Sequence, residues 1–195
     1  MNHAKSLKAT ALIGAAALVL SACSPVEEDA PEESTATVEN ANDTLAAVLG
    51  EMEQSETIRQ AVEDAGLASL MDGSGVYTLL APRDSAFEAL GESGEGLMSE
   101  EQRPLLVGLL REHILPGHVT PEAIETAIDQ QNGKVEMTTL GGGTVTFSRD
   151  GNAILVSDSG GKSARVAGTA IAASNGTVIP IDGVLVPGSA GSAPQ

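Results

Sequence analysis

Hydrophobic positions along the chain change their spacing once, close to Asn132-Gly133. Before that point the period is helical. Leu45, Val48, Leu49 and Met52 fall on one helical face, with Thr44 placed to cap it. Ile58, Val62 and Leu67 repeat the pattern after Ser55, and Gly66 stands where such a helix ends. Met71-Asp72-Gly73-Ser74-Gly75 has the composition of a loop. Residues 77–81 form a short apolar run closed by Pro82, as a buried strand would be, and Asp84 is placed to cap a short helix over 85–90 that carries Phe87 into the core. Ser99 opens a longer helix, SEEQRPLLVGLLREHIL, with Glu100 and Glu101 near its positive end and Pro104 in the first turn. Pro116-Gly117 closes it, and Thr120-Pro121 starts another helix through Ile124 and Ile128.

After Asn132-Gly133 the period becomes two. Val135 and Met137 alternate with Lys134, Glu136 and Thr138, and Val145 and Phe147 with Thr144, Thr146 and Ser148. Asp150-Gly151 is a hairpin signal leading into a strand over 153–156, and strands over 166–172 and 177–186 complete this half. Helices first and a largely antiparallel sheet afterwards predict an α+β domain.

The ends read differently. Lys5 and Lys8 precede an apolar run too short for a permanent membrane span, which ends in Leu20-Ser21-Ala22-Cys23. This resembles a bacterial lipoprotein signal over residues 1–22. Cys23, the one cysteine of the chain, is then the first residue of the exported protein and the carrier of its lipid. Ser24 after it lacks the aspartate that retains lipoproteins in an inner membrane, which favours the outer membrane. Residues 23–43 are acidic and rich in Pro, Ser and Thr, the composition of a disordered tether, and 188–195 read as a flexible tail. The domain is expected over 44–187. The formal net charge of −17 repels phosphate backbones, so nucleic acid is not an expected partner, and acyl chains rather than anionic lipid headgroups are the expected membrane contact.

Three segments together resemble the fasciclin domain. In YTLLAPRDSAFEAL, Ala81, Pro82, Asp84, Ala86 and Phe87 match the family's first box, while Arg83 stands where threonine is usual. In LLREHILPGHVT, His113, Pro116 and Gly117 match the central box, with Glu112 at its tyrosine position. In ASNGTVIPIDGVLVP, Ser174, Asn175, Gly176, Ile181, Asp182, Val184, Leu185 and Pro187 match the last box, with Ile179 where histidine is common. The resemblance implies a β-wedge or sandwich of mostly antiparallel strands flanked by several helices. It also implies adhesion or protein–protein interaction, with a surface or periplasmic protein or polysaccharide as partner. The Asp-Ile pair linked to integrin binding in animal members is Ala170-Ile171 here, so integrin binding is not carried over.

No cofactor, metal or catalytic residue is expected. His113 and His118 are separated by Pro116-Gly117 rather than by one helical turn, so His113 reads as a buried hydrogen-bonding residue and His118 as a loop residue. Gly160-Gly161-Lys162-Ser163 lacks the first glycine of a phosphate loop and lies between strands, so it reads as a turn. No Gly-x-Ser-x-Gly elbow occurs, and the paired carboxylates Glu27-Glu28 and Glu32-Glu33 lie in the tether. Pro82-Arg83-Asp84-Ser85 reads as a structural joint with a solvated Arg83. The alternative function is a carrier of a small apolar ligand, a pigment or lipid, in the envelope; an enzyme is not expected.

Overall fold

The computed structural model describes residues 37–40 and 42–186. The signal over 1–22, Cys23, most of the tether, Pro187 and the tail lie outside the described residues.

The described chain begins with strand β1 (Thr37–Asn40) and then runs through helices α1 (Leu45–Glu51), α2 (Glu56–Asp64) and α3 (Ala68–Met71). Thr44 caps α1 as its sequence position suggests, its hydroxyl accepting from the Ala47 amide at 3.3 Å. Gly66, with φ +70, turns the chain out of α2, and the amides of Gly66 and Leu67 return to the carbonyls of Glu63 and Val62. Strand β2 (Tyr77–Pro82) follows, then α4 (Asp84–Glu88), α5 (Glu92–Leu97), a 3-10 turn over Glu100–Gln102 and α6 (Arg103–Glu112) with Pro104 in its first turn. Strand β3 (Ile114–Pro116) leads to α7 (Pro121–Gln130), capped by the Thr120 hydroxyl.

The remaining strands are β4 (Lys134–Thr138), β5 (Thr144–Asp150), β6 (Ala153–Asp158), β7 (Ser163–Arg165), β8 (Ala170–Ala173) and β9 (Gly176–Ile181). They build two sheets. The first has the order β1-β8-β9-β2-β3, with β1/β8 and β9/β2 parallel and the other pairs antiparallel. The second is the antiparallel meander β4-β5-β6-β7.

Strands β2 and β9 sit inside the first sheet and are buried on both faces, which explains their continuous apolar runs. Leu79, Ala81 and Val178 face a core shared with α1, α2, α3, α4 and α6. Leu80, Ile179 and Ile181 face the opposite core, shared with the meander residues Val145, Phe147, Ile154 and Val156 and with Ile124 and Ile128 of α7. The result is an α+β fold in layers: helices, first sheet, meander.

Several elements differ from the sequence reading. The tether ends earlier than Asp43, because Thr37–Asn40 adds as an edge strand to β8. A β-branched pair, Thr37-Val38, meets an otherwise unpaired sheet edge there, and the backbone bonds outweigh the polar composition. The long helix stops at Glu112, and Ile114-Leu115 pair with Leu79 and Thr78 instead. The strand expected over 166–172 is broken at Gly168, φ +107, so that β7 and β8 join different sheets. The last strand ends at Ile181 rather than 186. Helices α3 and α5 fall where no helix was expected; they are too short, at 4 and 6 residues, to carry a periodic pattern.

Candidate functional site

The polar residues of the three boxes act on backbone that is remote in sequence. Asn175 is buried, and its side-chain oxygen accepts from the Leu45 amide at 2.8 Å, at the start of α1. Its amide group donates to the carbonyls of Met71 at 2.7 Å and Gly73 at 2.9 Å, while its own carbonyl accepts from the Tyr77 amide. One side chain thus joins the start of α1, the end of α3 and the entry to β2. Gly176 follows it because a Cβ there would run into the Tyr77 carbonyl.

Asp84 differs from expectation in a definite way. Its carboxylate accepts from the Thr57 amide at 2.8 Å, so it caps α2 and not α4, its own helix. The reason lies at Ser55. That hydroxyl donates to the carbonyls of Met52 and Leu49 and leaves the first turn of α2 without a local acceptor. Asp84 supplies one from the end of β2, and its own amide donates to Gln54. Phe87 enters the helical core as expected.

His113 is 0 % exposed and ends α6. Its Nδ1–H donates to the Leu109 carbonyl at 2.9 Å, and its Nε2 accepts from the Leu185 amide at 3.0 Å. This pairing requires the neutral ring with the proton on Nδ1. Burial pushes its pKa down to about 4, against smaller opposing effects of the Leu109 carbonyl and the Asp158 charge. With both nitrogens held by backbone, the ring ties α6 to the last box. Asp182 makes a two-way link to Arg165, its carboxylate accepting from the amide at 2.6 Å while its amide donates to the carbonyl. Pro116 ends β3 in solvent, and Gly117, φ +92, returns its amide to Val76 and its carbonyl to the Thr78 hydroxyl.

Where the chain departs from the box pattern, the replacements are accommodated. Glu112 lies over Gly141 and Gly143, where any Cβ would collide with its carboxylate, and accepts from the Thr139 hydroxyl at 2.6 Å. Ile179 is buried against the meander. Gly160, Gly161 and Lys162 lie in the turn between β6 and β7 and Ser163 opens β7, with Asp158 accepting from the amides of Gly160 and Lys162. His118 is exposed between β3 and α7.

Arg83 is the departure with a different consequence. It is half-buried rather than solvated, and it lines a cleft of about 400 Å³ formed by four segments: Glu51 to Ser55 from the end of α1 to the start of α2, the end of β2 at Ala81 and Pro82, Gly168, Thr169 and Ile171 before and in β8, and Pro180. Its guanidinium lies against Gly168, in space that a side chain at 168 would fill. The Pro82-Arg83-Asp84 segment is therefore both a joint and the wall of a cleft. Sequence reasoning missed the cleft because its walls are up to about 130 residues apart; the replacement of the usual threonine by Arg83 was the one available signal.

The fasciclin domain family is matched over residues 53–187, and all three boxes fall in that range. The chain is similar to Protein sll1483 of Synechocystis, 29% identical over 91% of this chain and 93% of that protein. It is also similar to the transforming growth factor-beta-induced protein ig-h3 of Sus scrofa, 33% identical over 69% of this chain but only 18% of that much longer protein. Among solved structures, a FAS1 domain pair of the insect cell adhesion molecule fasciclin I superposes with a TM-score of 0.55, covering 69% of this chain and 46% of the pair at 23% identity. That likeness establishes the layered α+β fold, and the match across more than half of the sequence establishes the lineage: the chain belongs to the fasciclin domain family.

Proposed function

We propose that this protein is a lipid-anchored envelope protein whose fasciclin domain serves cell-surface adhesion or protein–protein interaction. The observation that carries this reading is the use made of the box residues. Asp84, Asn175 and Asp182 use side-chain polar atoms on backbone of another element, and His113 holds Leu109 of its own helix with one ring nitrogen and Leu185 with the other, which favours a scaffold over a set of groups poised for proton transfer. That use supports a non-enzymatic reading, and membership of the fasciclin domain family, whose fold is shared by a domain pair from an insect cell adhesion molecule, supports an interaction role.

The anchor rests on Leu20-Ser21-Ala22-Cys23, and Ser24 favours the outer membrane. Partners on this reading are envelope or surface proteins or polysaccharides. Crosslinking in intact cells, followed by mass spectrometry of captured neighbours, tests the interaction role; recovery of the protein with no reproducible neighbour counts against it. Cys23→Ser is expected to release the protein from membranes or block its processing. Intact mass of the membrane-extracted wild type is expected to show an acylated Cys23 as first residue, and an unmodified thiol there would end the anchoring proposal.

A further inference from the structure

We propose that the Arg83 cleft binds a monocarboxylate with an apolar body, the guanidinium pairing with the carboxylate and the walls covering the hydrocarbon. The inference is independent of the adhesion reading and begins with charge. The chain holds 27 acidic and 10 basic residues, so acceptors for a cation are abundant. Arg59, Lys134, Arg149 and Arg165 all take one. Arg103, Arg111 and Lys162 are exposed and solvated. Among the described residues, Arg83 is the one cation that is half-buried without an ion pair or a side-chain hydrogen bond. A guanidinium partly removed from water gains most from a planar anion that accepts two parallel N–H bonds, and a carboxylate has that geometry.

The surroundings narrow the ligand further. Met52, Ala81, Pro82, Ile171 and Pro180 give the cleft its apolar lining, and Gln54, Ser55 and Thr169 add polar groups to it. Glu51 and Glu53 also line it, and neither lies within ion-pair distance of Arg83. Their charges disfavour phosphate, sulfate or polyanionic chains, which bring more than one negative charge, and tolerate a single carboxylate held at Arg83. The volume of about 400 Å³ falls within the range of small-molecule sites, roughly 300–1,000 Å³. Gly168 completes the arrangement, since any side chain there would occupy the place of the guanidinium.

Octanoate titrated into the isotope-labelled full chain, followed by NMR, tests the proposal, with acetate, octanol and inorganic phosphate titrated separately. Octanoate is expected to shift the Arg83 Nε–H, the Gly168 amide and the Ile171 methyls together and saturably. Acetate, octanol and phosphate are each expected to bind roughly tenfold more weakly or not at all, because each lacks one half of the match or carries excess charge. Arg83→Thr removes a guanidinium that lies against Gly168 and makes no ion pair or side-chain hydrogen bond among the described residues, so this variant is expected to keep the fold, which its amide spectrum checks. It is expected to weaken octanoate roughly tenfold or more, the loss of one charge-assisted contact. Absence of saturable shifts, shifts confined to residues outside the cleft, equal binding by Arg83→Thr, or phosphate or octanol binding as tightly as octanoate would each overturn the proposal.

Discussion

The two faces of the first sheet are covered by different means. On one face lie short helices, of 4 to 10 residues, that lack the length to persist alone. They are held by side chains from far along the chain: Asn175 reaches Leu45 across 130 residues, and His113 meets Leu185 across 72. On the other face the meander connects neighbours in sequence, through a two-residue turn between Asp150 and Ala153 and the Asp158 turn before β7. The comparison teaches that Asn175, His113 and Asp84 of the family boxes are fasteners for the helical face, whereas the meander follows mainly from alternation and turn chemistry, with Asp182 of the last box tying it at Arg165. Long-range polar fasteners make that face cooperative, since loss of one frees several elements at once.

The largest effect is expected at Asn175. Asn175→Ala leaves the Leu45 amide and the Met71 and Gly73 carbonyls without their partner, at a cost of about 3–5 kcal/mol when the three losses are taken together. Denaturant unfolding measures the total, and hydrogen exchange locates it. Amides of α1 and α3 are expected to lose protection well before those of β5 and β6. Equal loss in the meander would erase the contrast between the faces.

The same contrast explains what was legible in the sequence. Alternation at Val135, Met137, Val145 and Phe147 needs only neighbouring residues, so β4 and β5 and the hairpin at Asp150-Gly151 could be read directly. The starts of α1 and α7 could be read for the same reason, because Thr44 and Thr120 cap their own helices. Strand β3 could not. Ile114 and Leu115 continue the apolar pattern of α6, and only the buried His113 ring and the open edge of β2 turn them into a strand. The boxes were legible as a resemblance, yet the target of each side chain was not, since a cap supplied from another element leaves no local pattern.

An intermediate effect is expected from acid, through His113. Its folded pKa is about 4 against an ordinary value of 6.5. Between those values the unfolded chain binds the proton that the folded ring refuses, so stability rises with pH across this window. The contribution is complete above pH 6.5 and is lost as pH falls toward 4, amounting to roughly 3 kcal/mol. The acidic residues titrate in the same region, so the informative quantity is the difference between wild type and His113→Asn, which cannot titrate. That difference is expected to shrink as pH drops from 6.5 to 4. A difference that does not change with pH would mean that the ring is not held neutral by the Leu109 and Leu185 backbone.

The smallest effect sharpens the comparison most, because it distinguishes a local fastener from a remote one. Asp84→Ala removes one acceptor from the first turn of α2, and such a loss costs about 0.5–2 kcal/mol. A cap on its own helix would give a similar total, so the total does not decide the matter; the location does. With the carboxylate on the Thr57 amide, hydrogen exchange is expected to accelerate at Thr57 and along α2, while Ala86 and Phe87 in α4 keep their protection. Asp84→Asn retains an acceptor oxygen and is expected to restore most of the protection at Thr57. Faster exchange confined to α4 would return Asp84 to the role its position in the sequence suggests, and α2 would then need another acceptor for its first turn. Arg83 beside it serves as the control: Arg83→Thr leaves the Asp84–Thr57 bond in place and is expected to leave α2 protected, so that the fastening of the helical face and the chemistry of the cleft can be altered separately although they occupy adjacent residues.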